Sequence, residues 1–124
     1  MKANTNPRLV IDPKKNRLRV HSTTLEMMGK PKFVWFLVNP DTPSIAVCPA
    51  LSAAGGAVKA SYSKSYTDFY SLALVNRLSD YLDHFDKKSS YLVTGKLSLE
   101  NTVSVFNLQN SVQLTPDEEV ALVG

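Results

Sequence analysis

The sequence predicts an α+β domain, mainly β, built from two tandem β-α-β-β units. Three observations carry this. Short runs rich in β-branched and aromatic residues, with strand period or strand length, recur between turn signals: Arg17–His21, Phe33–Val38, Tyr91–Leu97 and Thr102–Leu108. Helical signals are few and short. The same order of elements can be read twice, separated by the small-residue stretch ALSAAGG at 50–56. The chain has 124 residues, 44% apolar and 20% charged, which suits one globular domain and excludes disorder throughout.

In chain order, residues 1–7 are polar and read as a loose tail. Arg8–Ile11 is a short β-prone run. Asp12-Pro13-Lys14-Lys15-Asn16 is a turn, in which proline presets φ and asparagine tolerates positive φ. In Arg17–His21 basic and apolar side chains alternate, which turns Leu18 and Val20 inward and Arg17, Arg19 and His21 outward. Ser22-Thr23-Thr24 offers an N-cap for Leu25–Met28, with Gly29 as the C-cap and Pro31 preventing continuation. Lys32–Val38 is a strand. Asn39–Pro43 turns the chain, and Ser44–Cys48 returns, closed by Pro49.

In the second half, Ala57–Tyr62 alternates like a strand and Ser63–Asp68 is polar and tyrosine-rich. Phe69–Val75 is an apolar run. Leu78, Tyr81, Leu82 and Phe85 form a helical stripe within 76–85. Tyr91–Leu97 is a strand, 98–101 a turn, and Thr102–Leu108 a strand with Val103 and Val105 on one face and Phe106 and Leu108 on the other. Thr115-Pro116-Asp117-Glu118 is a helix start, with Thr115 as N-cap and Pro116 at the first helical position; the VALVG that follows docks on the body or frays.

The expected organisation is one domain over 1–124. Its internal repeat runs over 17–49 and 69–108, between an N-terminal tail (1–7) and a C-terminal tail (109–124). In the proposed overlay Leu18–Val20 corresponds to Leu72–Leu74, 22–28 to 76–85, Phe33–Val38 to Tyr91–Leu97, and Ile45–Cys48 to Val103–Phe106.

Charge is uneven. Residues 1–32 hold eight basic groups against two acids, whereas 65–124 hold four against eight, within a net charge of +3. A basic front and an acidic back describe an oriented molecule whose front meets a polyanion. The residues expected to neutralise phosphates are Lys14, Lys15, Arg17, Arg19, Lys30 and Lys32, with His21 and Ser22 near a groove. The tyrosines Tyr62, Tyr66 and Tyr70, interleaved with Lys59 and Lys64, form a second polyanion-facing candidate beside the plain reading of a hydrogen-bonded loop.

The segment RLRVHSTTLEMMGKPKFVWFLVNPDTPSIAVCPA, residues 17–50, resembles the SpoVT-AbrB-like swapped-hairpin unit. That unit reads as a strand, a short helix ending in a Leu-Gly type step, and a β-hairpin. The matching features are Val20, Thr24–Met28 ending at Gly29, Phe33–Val38 and Ile45–Pro49. Bacterial and mobile-element relatives with a "G-N/K-P" step and a hairpin ending "IAIRPA" are more similar still. The likeness covers 17–50 closely and 57–108 loosely. It implies a small swapped-hairpin-like barrel of two interlocked units, commonly from two chains, that binds DNA through basic strand and loop residues. Cys48 stands where arginine is common, and His21-Ser22 replaces the usual Ile/Val-Pro step.

Enzyme chemistry is not indicated. His21 and His84 are the only histidines, and the acids around His84 (Asp80, Asp83, Asp86) lie on several faces of the expected helix. Gly55-Gly56 lacks the Lys-Ser/Thr of a phosphate cradle. Cys48 sits in an apolar strand, where an inert thiol is expected. No metal or cofactor is expected, nor a small-molecule substrate. No run approaches the roughly 18 to 20 apolar residues of a membrane span. The N-terminus lacks a secretory apolar core, and one cysteine fits a reducing compartment, so a cytoplasmic location is expected.

The reading is therefore a DNA-binding transcriptional regulator, with double-stranded DNA and a second copy of the chain as expected partners. The alternative is a non-catalytic interaction or oligomerisation module. In that case the doubly apolar strand Phe33–Val38 is covered on both faces, with Trp35 and Phe36 at an oligomer interface.

Overall fold

The computed structural model of the protein describes residues 6–62, 64–98 and 102–118. These form a mainly β, α+β structure. The first half holds β1 (Arg8–Asp12), β2 (Arg17–His21), the helix α1 (Ser22–Met27), β3 (Phe33–Asn39) and β4 (Ser44–Ala50). The second half holds β5 (Val58–Lys59), β6 (Tyr66–Tyr70), the helix α2 (Leu72–Ser79), β7 (Tyr91–Thr94), β8 (Lys96–Ser98), β9 (Val103–Asn107) and β10 (Val112–Gln113). Two antiparallel sheets result, in the orders β10-β7-β1-β2-β6 and β5-β3-β4-β9-β8, and neither closes on itself.

The inward residues of both sheets and both helices share one core. Leu9, Ile11, Leu18 and Val20 come from the first sheet and Val34, Ile45, Val47 and Phe106 from the second. Leu25 of α1 and Val75 and Leu78 of α2 close its ends. The alternation read in Arg17–His21 holds: Leu18 and Val20 are fully buried, and Arg17, Arg19 and His21 occupy the opposite face. Asn16 takes the left-handed conformation expected of it, at φ 52°.

Several expectations are corrected. The apolar run Phe69–Val75 spans two elements. Ser71 accepts a hydrogen bond from the Leu74 N–H and so starts α2 at Leu72. The preceding strand is Tyr66–Tyr70, where tyrosines hid the alternation. Leu72–Leu74 are therefore helical and do not match Leu18–Val20, which pair with Thr67–Phe69. Leu82 is buried and Phe85 packs on the core, but from turns that follow α2. Of Ala57–Tyr62, only Val58–Lys59 is strand.

Pro49 does not end β4, which runs on to Ala50. Pairing with β9 stops at Val47, so at Pro49 only the β3 side of the strand needs a partner. Pro7 is not loose either: it is buried, and its carbonyl accepts from the Gly95 N–H. Gly95 also splits the single strand expected over Tyr91–Leu97, sending β7 into the first sheet and β8 into the second. A Cβ at Gly95 would lie 2.4 Å from the Val105 carbonyl oxygen.

Thr115 and Glu118 form a reciprocal capping box, each accepting the other's backbone N–H, as the helix-start signal predicts. The VALVG expectation lies outside the described residues, as does most of the 98–101 turn. Among the described residues no helix is long and apolar enough to cross a membrane.

Candidate nucleic-acid interface

The outer face of the first sheet carries the basic residues that the alternation of β2 exposes. Their neighbours decide what they can do. Register sets Arg17 opposite Asp12 on β1 and Tyr70 on β6, Arg19 opposite Asp68, and His21 opposite Tyr66. The Arg17 Nε donates to Asp12 Oδ2 at 2.8 Å and its Nη1 to Asp68 Oδ2 at 3.2 Å. The Arg19 Nε donates to Asp68 Oδ1 at 2.8 Å, and its guanidinium lies 5.0 Å from the Tyr66 ring centre. Both arginine side chains are mostly covered, and Asp12 is almost wholly so. Burial opposes the charge of Arg17, but the bonds to Asp12 and Tyr70 outweigh it and hold the guanidinium more firmly protonated than usual.

Lys14 joins the same group. Its Nζ lies 3.6 Å from Asp12 Oδ1 and donates to the Ser90 hydroxyl at 3.0 Å. Lys14, Arg17 and Arg19 thus belong to a network with Asp12 and Asp68, and little of their charge is left for an outside phosphate.

His21 contributes no charge at neutral pH. Burial, and then the nearby Arg8 cation, push its imidazole below the ordinary value of 6.5. Its Nε2 stands 3.4 Å from Arg8 Nη2; a guanidinium only donates, so Nε2 accepts. The proton is then on Nδ1, which is buried without a partner. The ring packs edge-on to Tyr66. Ser22 is buried and donates to the Lys64 carbonyl at 2.6 Å, which ties α1 to the β5–β6 connection rather than to a groove.

Lys15, Lys30 and Lys32 are exposed. The last two flank Pro31 in the turn from α1 to β3. Lys30 takes φ 52°, and its ammonium sits 5.3 Å from the Tyr62 ring centre. The Tyr62 hydroxyl donates to the Pro31 carbonyl, and the Ala60 N–H donates to the Lys32 carbonyl at 2.8 Å. The chain from Ala60 to Tyr62 is thereby laid against Lys30–Lys32. Exposed Lys64 stands beyond it, beside the start of α1. A six-residue helix is about 9 Å long, so these lysines bracket α1 at modest separation. Among the described residues Lys30, Lys32 and Lys64 are in no ion pair.

The tyrosine–lysine group read from the sequence divides here. Tyr62 and Lys64 belong to this rim. Tyr66 and Tyr70 belong to the arginine face, and Lys59 lies on β5. The residue that sequence reasoning missed is Asp68, which neutralises two arginines at once. Its signal was the alternation Tyr66-Asp68-Tyr70, but a strand beginning with polar residues and tyrosines resembles a loop.

The other chemistry-bearing residues stay apart. Cys48 is half-buried opposite Trp35, and burial raises its thiol pKa. Asp86 is occupied within its own turn, accepting from the Lys88 N–H and the Ser89 hydroxyl. Compared with known proteins, the chain matches no family model, no curated sequence and no solved structure.

Proposed function

We propose that the protein binds double-stranded DNA as a regulator, through the lysine rim around α1 rather than through the arginines of β2. One observation carries this: Lys30, Lys32 and Lys64 are exposed, gathered about one short helix, and without carboxylate partners among the described residues. Such groups are what phosphates attract, and each phosphate neutralised releases counterions. Lys15 extends the basic surface, and Tyr62 holds Lys30 in place. The swapped-hairpin resemblance of residues 17–50 supports the same reading. Filter retention of a random duplex at 50 and 200 mM salt tests it. Retention at micromolar protein that falls steeply with salt supports the reading, and absence of salt-sensitive retention overturns it.

A second reading is a non-catalytic module that pairs with a second copy of the chain. The outer face of the second sheet favours it. Phe33, Trp35, Leu37, Ala46, Cys48 and Val105 form an uncharged surface over three strands, with Leu37 55% and Val105 42% exposed. Apolar patches of this kind mark interaction surfaces. Sedimentation of the wild type and of Leu37→Glu tests it: a dimer that the substitution splits supports the reading, and a monomer throughout removes it.

A further inference from the structure

The two sheets part between β5 and β6. Each of these strands has one partner, β3 and β2 respectively. The opening is a cavity of about 380 Å³ lined by Phe36, Val58, Lys59, Phe69, Tyr70 and Leu74, with Gly56, Asp68 and Ser71 at its margins. Its floor is aromatic: the Phe36 and Phe69 rings meet edge to face, 5.0 Å between centres. Val58 and Leu74 complete the apolar walls.

The polar groups are few and unequal. Lys59 is exposed on the β5 side and is in no ion pair among the described residues. Asp68 brings little repulsion, because Arg17 holds one of its oxygens and Arg19 the other. The Ser71 hydroxyl oxygen accepts from the Leu74 N–H, which leaves its proton to donate. The Tyr70 hydroxyl has only a long contact, 3.5 Å, with Arg17. One cation and two hydroxyls thus stand over an apolar floor, in a volume within the roughly 300–1,000 Å³ of small-molecule sites.

From this arrangement we propose that the cleft binds a small amphipathic anion, a carboxylate or sulfonate carried on an aromatic or branched apolar body. The acid group meets Lys59, Tyr70 and Ser71, and the body lies on Phe36, Phe69 and Leu74. None of the lysines of the proposed DNA rim takes part, so the two sites succeed or fail separately.

The probe is 8-anilinonaphthalene-1-sulfonate, titrated by fluorescence and mapped by backbone amide shifts on the folded protein. Saturable binding with Kd below about 1 mM is expected, with shifts at 56–59 and 69–74. Lys59→Glu weakens it by about fivefold or more, the scale of a partly exposed ion pair. Lys59→Arg retains it. Lys96→Glu, the same charge change at the opposite edge of the second sheet, alters it less than about twofold. Non-saturable binding, equal weakening by both glutamate variants, or shifts on the outer face of the second sheet instead would each overturn the proposal.

Discussion

The outer faces of the two sheets are made from similar strands and end in opposite states. On the first, Arg17 and Arg19 point away from the core and would be a cationic surface if β2 stood at an edge. Instead β6 pairs with it and places Asp68 between them, while β1 supplies Asp12. On the second, Phe33, Trp35 and Leu37 point away from the core, and the neighbouring strand offers Ala46, Cys48 and Ala50. That face therefore stays apolar. Alternation decides which side of a sheet a residue faces; the adjacent strand decides whether its chemistry remains available.

The sharpest way to break this comparison is to stop the strands from reaching both sheets. Gly95→Val puts side-chain atoms against the Val105 carbonyl and the Phe106 ring, where a Cβ alone would come within 2.4 and 2.6 Å. Backbone cannot yield as a flexible side chain can. A loss of about 3 kcal/mol or more, or failure to fold, is expected in urea unfolding followed by circular dichroism.

Next in size is Asp68→Ala, which strands two mostly covered guanidiniums. About 2 kcal/mol is expected from the same measurement, since a covered charge left without its partner costs more than the pair contributed. Lys30→Ala, Lys32→Ala and Lys64→Ala together should change stability by under about 0.5 kcal/mol, because exposed side chains without ion pairs hold nothing in place. The same triple variant should reduce the slope of log affinity for duplex DNA against log salt by about 2.7, since each phosphate that is no longer neutralised removes about 0.9 from it.

The smallest effect concerns His21. Its folded pKa lies below its unfolded one, so on acidification the unfolded chain takes up the proton first. The resulting stability is present above the unfolded value, near 6.5, and is lost as pH falls through the folded one. Thermal melts between pH 7.5 and 5.5 should show a declining Tm, and His21→Gln should flatten that part of the decline.

The sequence made the first half of the fold readable because its signals agree with one another. Alternation in β2, proline and Asn16 in the turn, Gly29 after α1 and β-branched residues in β3 all point the same way. The second half was harder for identifiable reasons. Ser71 looks like any serine inside an apolar run until it is seen to cap α2. Gly95 looks like a lone glycine within a strand, and only the approach of Val105 and Phe106 shows it to be the bend between two sheets.

The basic residues were legible as a set, and Lys30 and Lys32 are exposed as expected. Their division into Lys14, Arg17 and Arg19 on one hand and the α1 rim on the other depends on Asp68, which lies 49 residues from Arg19 in the chain. Periodicity within β2 carries no information about a partner that distant.

The claim that the β2 arginines serve the fold while the lysines of the α1 rim serve the partner can be tested by measuring two quantities in the same two variants. Tm and duplex-DNA affinity at 50 mM salt should be determined for Arg17→Gln/Arg19→Gln and for Lys30→Glu/Lys32→Glu/Lys64→Glu. The arginine variant should lose several degrees of Tm, and the lysine variant should keep its Tm and lose DNA binding. A lysine variant that binds as the wild type does, or an arginine variant that melts normally yet no longer binds, would contradict it.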